Sequence, residues 1–293
     1  MNMTIKHVAN TRPGQDGAIY GKYLFRFSAM GICRVYDMSE LSESKDSVTD
    51  LEVISTFALD KIDTIVPHSN AVVFGNEFFE KGDEFPLLYS NVYNNYSNAE
   101  EKHCGVCCVY RLQRNGLEFT TTLLQIIEIG FTDDCELWRS GADVNDSRPY
   151  GNFVIDTERS LYYAFVMRDG EHTTRYFSFD LPKISQGVTD EKFGVKKVVL
   201  DAKDILEYFD TPYHNFIQGA CVSNGLIYSV EGFHERIHPA IRVIDPIQKK
   251  QVFHLDFFES NLPFEAEFID FYNGKCYYGN CKGNIFELDF KDS

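Results

Sequence analysis

Tryptophan occurs once in this 293-residue chain and proline nine times, and basic residues are scarce: 28 Lys and Arg stand against 44 Asp and Glu, a formal net charge of −16. A surface of that sign repels phosphate backbones, which excludes nucleic acid as the main partner. No stretch approaches the roughly 20 consecutive apolar residues of a membrane-spanning helix, so no contact with a membrane is expected. The opening residues, Met1-Asn2-Met3-Thr4-Ile5-Lys6-His7, contain no apolar signal-peptide segment, and a cytoplasmic location is expected. Also missing are the phosphate loop Gly-x-x-x-x-Gly-Lys-Ser/Thr, a Gly-x-Gly-x-x-Gly after a strand, the Gly-x-Ser-x-Gly elbow and His-Glu-x-x-His. Their absence excludes nucleotide-driven chemistry, Rossmann redox chemistry, the α/β-hydrolases and the zincins.

The eight cysteines read as free, small hydrophobes in a reducing compartment, because a chain of this size holds its own core without disulfides. His103-Cys104-x-x-Cys107-Cys108 contains one Cys-x-x-Cys, but a zinc ribbon needs a second pair, and Cys276 and Cys281 do not supply one. The loop Asp143-x-Asn145-Asp146 is rich in oxygen, yet lacks the glycine and distal glutamate of a calcium loop. No metal and no cofactor are expected.

What the chain has in excess is aromatic residues, 25 Phe and 17 Tyr, which favour a pleated, half-buried surface. Short β-branched or aromatic runs such as Leu24-Phe25-Arg26-Phe27, Ile32-Cys33-Arg34-Val35-Tyr36, Val106 to Leu112 and Ile241-Arg242-Val243-Ile244 are bounded by turn residues. Only two short helices are expected, over Thr132 to Ser140 and over Ala202 to Tyr208. A weak repeat runs through the whole: polar entry residues, a short apolar strand, a turn and an aromatic strand. It begins at Gln15, His68, Tyr150, Gln218 and Glu267, and two copies carry the hairpin signal Asn-Gly, at Asn224-Gly225 and Asn273-Gly274. A third strand follows in each copy, and an outer strand at Glu52 to Leu59, Thr120 to Glu128, Val195 to Leu200 and Gln251 to Phe257. Four strands per unit of about 50 to 80 residues is the sequence form of a β-propeller. The expectation is an all-β, single-domain propeller over residues 1–293, with five blades and six as the alternative count. The last unit lacks an outer strand, and Met3 to Val8 would supply it and close the ring.

The segments Gln218-Gly219-Ala220-Cys221-Val222, Gly225-Leu226-Ile227-Tyr228, Ile241 to Asp245 and Phe264-Glu265-Ala266-Glu267-Phe268-Ile269-Asp270 resemble the propeller domains of teichoic-acid biosynthesis protein C and of certain phage receptor-binding proteins. The Glu-Pro-Glu-Gly of that family stands here as Glu265-Ala266-Glu267-Phe268, a departure at two of four positions. The blocks Pro67 to Glu77 and Phe85 to Tyr93 resemble uncharacterised proteins of anaerobic Gram-positive bacteria. The resemblance implies a propeller fold and a binding role toward wall polymers or glycans.

In a propeller the residues just before each inner strand converge at one mouth of the central channel. Here they are Gln15 and Asp16, His68 and Asn70, Arg148, Tyr150 and Asn152, His214 and Gln218, and Glu265 and Glu267. They combine imidazoles, a guanidinium and carboxylates, the groups that proton transfer and recognition of anions require. His68, His214, Arg148 and Glu267 are the catalytic candidates should the protein be an enzyme, with a histidine as base and Arg148 as an anion clamp. The tyrosines and asparagines of Tyr89 to Tyr96 offer a second, sugar-stacking surface. The reading that results is a propeller binding a small molecule or glycan in its channel mouth. The alternative is a propeller hydrolase or lyase acting on a polar carbohydrate-like or anionic substrate.

Overall fold

The structure is a computed structural model that describes residues 2–41, 47–93, 103, 105–131, 147–148, 152–168, 170–233 and 237–291. Five antiparallel-rich sheets follow one another along the chain as blades 1 to 5 of a β-propeller. Blade 1 comprises Gly17–Tyr20, Tyr23–Phe27, Ile32–Asp37 and Ser55–Ala58 from the axis outward. Blade 2 begins with Val72–Phe74 and Leu88–Val92 and continues through the long hairpin Val106–Asn115 and Glu118–Ile129. Blade 3 has Phe153–Asp156, Leu161–Arg168, Thr173–Asp180 and Glu207–Pro212. Blade 4 has Ile217–Ser223, Leu226–Phe233, Ile237–Asp245 and Lys250–Asp256. Blade 5 consists of Ala266–Tyr272, Lys275–Asn280, Asn284–Lys291 and, as its outer strand, Asn2–Asn10.

The ring therefore closes as the missing fourth strand of the last repeat required. Asn2–Asn10 runs antiparallel to Asn284–Lys291, from Asn2 opposite Lys291 to Asn10 opposite Asn284. The hairpins at Asn224-Gly225 and Asn273-Gly274 form as the dipeptides dictate, with φ positive at all four residues (50°, 73°, 49° and 76°). Asparagine and glycine tolerate that region, and its twist matches the flanking strands.

Two segments differ from the sequence reading. Lys196–Leu200 is not the outer strand of blade 3; it pairs in parallel with Glu118–Ile129 and adds a fifth strand to blade 2. The outer strand of blade 3 is Glu207–Pro212, which overlaps the stretch expected as helix at Glu207 and Tyr208. Its period-two pattern decides the matter, with Phe209 and Thr211 buried between exposed Tyr208 and Asp210. Phe209 then stacks on Tyr176, with ring centroids 5.3 Å apart. Within the stretch expected as helix only Ala202–Asp204 is helical, a single turn capped by Asp201. The helix expected over Thr132 to Ser140 lies outside the described residues, as does the Asp143 loop.

The aromatic excess fills the spaces between blades. Phe25 of blade 1 meets Phe74 and Phe119 of blade 2 edge-on at 5.4 and 5.7 Å, and Phe85 at 5.7 Å. Such edge-to-face pairs add about 0.5–1.5 kcal/mol each beyond the area they bury. Cys33, Cys107, Cys108, Cys221 and Cys276 are free and buried, and Cys281 is free and partly exposed. Among the described residues no helix is long and apolar enough to cross a membrane.

Candidate functional site at the mouth of the channel

The inner strands begin at one end of the channel, so the loops before them share that mouth. Two tiers of polar residues stand there. In the outer tier the Gln15 side chain of blade 1 donates to Glu267 Oε1 of blade 5 (3.2 Å), and Gln218 of blade 4 donates to Glu265 Oε1 (2.7 Å). The Cys281 backbone N–H donates to the Glu265 carbonyl (2.9 Å), which brings the thiol of the following loop to the same place. One ligand atom from each of Glu265, Glu267 and Cys281 lies within 4.8 Å of the others.

The inner tier is closed to solvent and holds Asp16, Arg26 and Glu267, each at most 1% exposed. Asp16 Oδ2 accepts from the Val72 N–H of blade 2 (2.6 Å), tying blades 1 and 2 together. Arg26 donates through Nη2 to the carbonyls of Gly14 and Asn280 (3.2 Å each), and its guanidinium lies over the Phe268 ring at 4.9 Å. Two glycines make room for this tier. A side chain at Gly219 would come within 2.8 Å of Asp16 Oδ1 and 2.7 Å of the Glu267 carbonyl; one at Gly279 would meet Phe268 at 2.4 Å and Arg26 Nη1 at 2.8 Å.

Several buried atoms of this mouth have no hydrogen-bond partner: Asp16 Oδ1, Glu267 Oε2, and Nε and Nη1 of Arg26. Buried polar groups are ordinarily paired with protein or with ordered water, so this cluster is an exception to the rest of the core. Burial raises the carboxyl of Asp16 well above the ordinary range. Burial, with Glu265 beside it, does the same to Glu267. Burial lowers Arg26 from its ordinary value, which lies so far above neutrality that the guanidinium stays charged.

The remaining sequence candidates are placed as follows. Asn152 donates through Nδ2 to the Ile217 carbonyl (2.8 Å) beside Gln218, and its Oδ1 is buried without a partner. Asn70 is bound to Asn91 by a side-chain bond of 2.5 Å, while Asn91 Oδ1 accepts the backbone N–H groups of Asn70 and Ala71. That pair shapes the entry to blade 2. His214 is fully buried between blades 3 and 4, where its N–H donates to Thr174 Oγ1 (2.8 Å) and its Nδ1 faces the Tyr176 hydroxyl (3.3 Å). His68 is half-buried. The backbone of Arg148 pairs with Met167; its side chain and the whole of Tyr150 lie outside the described residues. Tyr89 and Asn91 are buried in the second strand of blade 2, not on a sugar-stacking surface, because adjoining blades cover both faces of that strand. Tyr96, Asn94 and Asn95 lie outside the described residues.

Arg26 was not legible as a member of this site. In Leu24-Phe25-Arg26-Phe27 it reads as the solvent-facing residue of an alternating strand. Cys281 offers only Cys276 as a nearby cysteine in the sequence, and Cys276 is buried elsewhere in blade 5.

Half-buried His68 and fully buried His214 set a pH response. Burial pushes His68 down to about 4, and burial with Arg242 nearby holds His214 well below its ordinary value. Unfolded, both protonate near 6.5, so acid stabilises the unfolded chain first. Their contribution is full above about pH 6.5 and is lost as pH falls toward about 4. The raised carboxyls act in the opposite sense, and Asp270, pushed up to about 6 by burial, is the clearest of them. A His68→Gln variant isolates one term. Urea unfolding at about pH 7 and about pH 4.5 should show a wild-type acid loss about 2 kcal/mol larger than the variant's. Equal losses would show that His68 is not held neutral.

The architecture defines the class: a five-bladed β-propeller with a polar cluster at one mouth. No protein-family model matches the chain, and no curated protein does. Among solved structures it is similar to the glutaminyl cyclase of Myxococcus xanthus, at 11% identity over 98% of this chain and 94% of that one, with a TM-score of 0.50. It is also similar to the PQQ-bound aldose sugar dehydrogenase of Streptomyces coelicolor, at 10% identity over 98% of each chain, with a TM-score of 0.50. At those identities the likeness concerns the fold.

Proposed function

We propose that this propeller binds a small polyhydroxylated molecule, a sugar or short glycan, at the channel mouth formed by blades 1, 4 and 5. The observation that carries the reading is the tier of half-buried Gln15 and Glu265 with buried Gln218, over a closed tier whose buried carboxyl and guanidinium atoms lack partners. Carboxylates and amides fixed by one another present acceptors and donors in set directions, as recognition of hydroxyl groups requires. The resemblance to wall-polymer and phage receptor-binding propellers makes glycans the first class to try.

An enzymatic reading has one observation in its favour. Burial, with Glu265 beside it, raises the Glu267 carboxyl well above the ordinary range, and neighbouring carboxyls of unequal acidity are the arrangement in which one serves as acid and the other as base.

Thermal-shift and calorimetric titration against a panel of monosaccharides and cell-wall oligosaccharides tests both. A saturable ligand should bind at least tenfold more weakly to Gln218→Ala and Glu265→Gln than to the parent protein. A ligand consumed on incubation, with consumption lost in Glu267→Gln, would assign catalysis. A full panel without a shift, or binding untouched by either outer-tier substitution, overturns the proposal.

A further inference from the structure

We propose that Glu265, Glu267 and Cys281 bind a divalent cation of the zinc type, through two carboxylates and a thiolate, with a fourth position open at the channel mouth. The inference adds an ion to the ligand site proposed above and rests on that mouth being a binding site. It replaces the absence of metal expected from sequence spacing.

The side chains are already disposed as ligands. One donor atom from each lies within 4.8 Å of the other two. Tetrahedral bonds of about 2.0–2.3 Å set ligand atoms about 3.3–3.8 Å apart, a closure of roughly 1 Å within reach of side-chain rotation. Each carboxylate is oriented by an amide from another blade: Gln15 holds Oε1 of Glu267, and Gln218 holds Oε1 of Glu265. Outer hydrogen bonds of this kind fix the direction of metal ligands. The independent sign of a missing species is Glu267 Oε2, fully buried with no partner while its sister oxygen is held.

Charge points the same way. Asp16 and Glu267 face the guanidinium of Arg26, and Glu265 lies beside Glu267, so with all three carboxylates ionised these four groups carry two negative charges in excess. Burying such an excess is costly, and either protons or a dication must offset it. The donor set selects among dications. Calcium and magnesium take oxygen ligands throughout, whereas a thiolate beside carboxylates suits zinc or cobalt. Cys281 is reachable, being a free thiol on the partly exposed loop between Lys275–Asn280 and Asn284–Lys291.

The test uses the full chain stripped with a chelator and titrated with zinc sulfate alone by calorimetry. One equivalent should bind. Cobalt should give a thiolate-to-metal charge-transfer band in the near ultraviolet, which Cys281→Ser removes while leaving the unfolding midpoint of the stripped protein unchanged. Gln15→Ala, which touches no ion, should weaken zinc about tenfold. No stoichiometric uptake, or a cobalt band that survives Cys281→Ser, overturns the site. Running the sugar panel on stripped and zinc-loaded protein separates the two proposals. Sugar binding without zinc uptake overturns the metal site alone; zinc uptake without any sugar binding overturns the glycan reading alone.

Discussion

A chain lacking residues 2–10 is expected to be about 5 kcal/mol less stable than the full chain, because the ring is closed only by that strand. Asn2–Asn10 pairs with Asn284–Lys291 through eight register positions, and each ladder hydrogen bond contributes about 0.5–1.5 kcal/mol net. The deletion also uncovers Ala9, fully buried in the core shared by blades 1 and 5, and the half-buried Met3 and Ile5 of the neighbouring cluster. What remains is an unpaired edge at Asn284–Lys291, a template for association with other chains. Urea unfolding and size-exclusion chromatography check both effects. A synthetic peptide of residues 2–10, added in trans, should restore part of the lost stability. An unchanged midpoint and a monodisperse monomer would mean that the strand is dispensable and closure is not what holds blade 5.

Replacing Arg26 by alanine is expected to cost about 3–5 kcal/mol, the usual penalty for removing one partner from a buried charged cluster. The substitution strands Asp16 and Glu267 without their nearest positive charge and frees the carbonyls of Gly14 and Asn280. It also removes the guanidinium from the face of Phe268. The pH dependence gives the mechanism a signature. Asp16 and Glu267 have raised folded-state values, so their neutral forms favour folding at low pH, and that contribution is lost as pH rises through those values. The deficit of Arg26→Ala should therefore shrink as the pH is lowered. Adding Glu267→Gln to the variant should recover part of the loss at neutral pH. A deficit independent of pH, with no recovery in the double variant, would assign Arg26 a packing role only.

The blade count, the closure and the hairpins were determined by the sequence, because they depend on short-range chemistry. Asn-Gly at 224–225 and 273–274 demands a particular backbone, alternating aromatics demand a half-buried strand, and a repeat short of one strand demands a donor. The entry residues could be named for the same reason: a propeller brings the starts of its inner strands to one mouth, and Gln15, Gln218, Glu265 and Glu267 do meet there. Local pattern failed where two segments competed for one edge. Lys196–Leu200 and Glu207–Pro212 are both acceptable outer strands, and the choice between blades 2 and 3 rests on which edge each one reaches. The identity of the buried cluster was likewise decided by tertiary structure. Arg26 looks like an ordinary outward residue until Asn280, 254 positions later, places a carbonyl 3.2 Å from its guanidinium. Cys281 is an isolated thiol until the turn after Asn280 carries it back to Glu265. Sequence patterning encodes which face of a strand is buried, but the charges that end up sharing that burial come from different blades, and only closure of the ring sets them side by side.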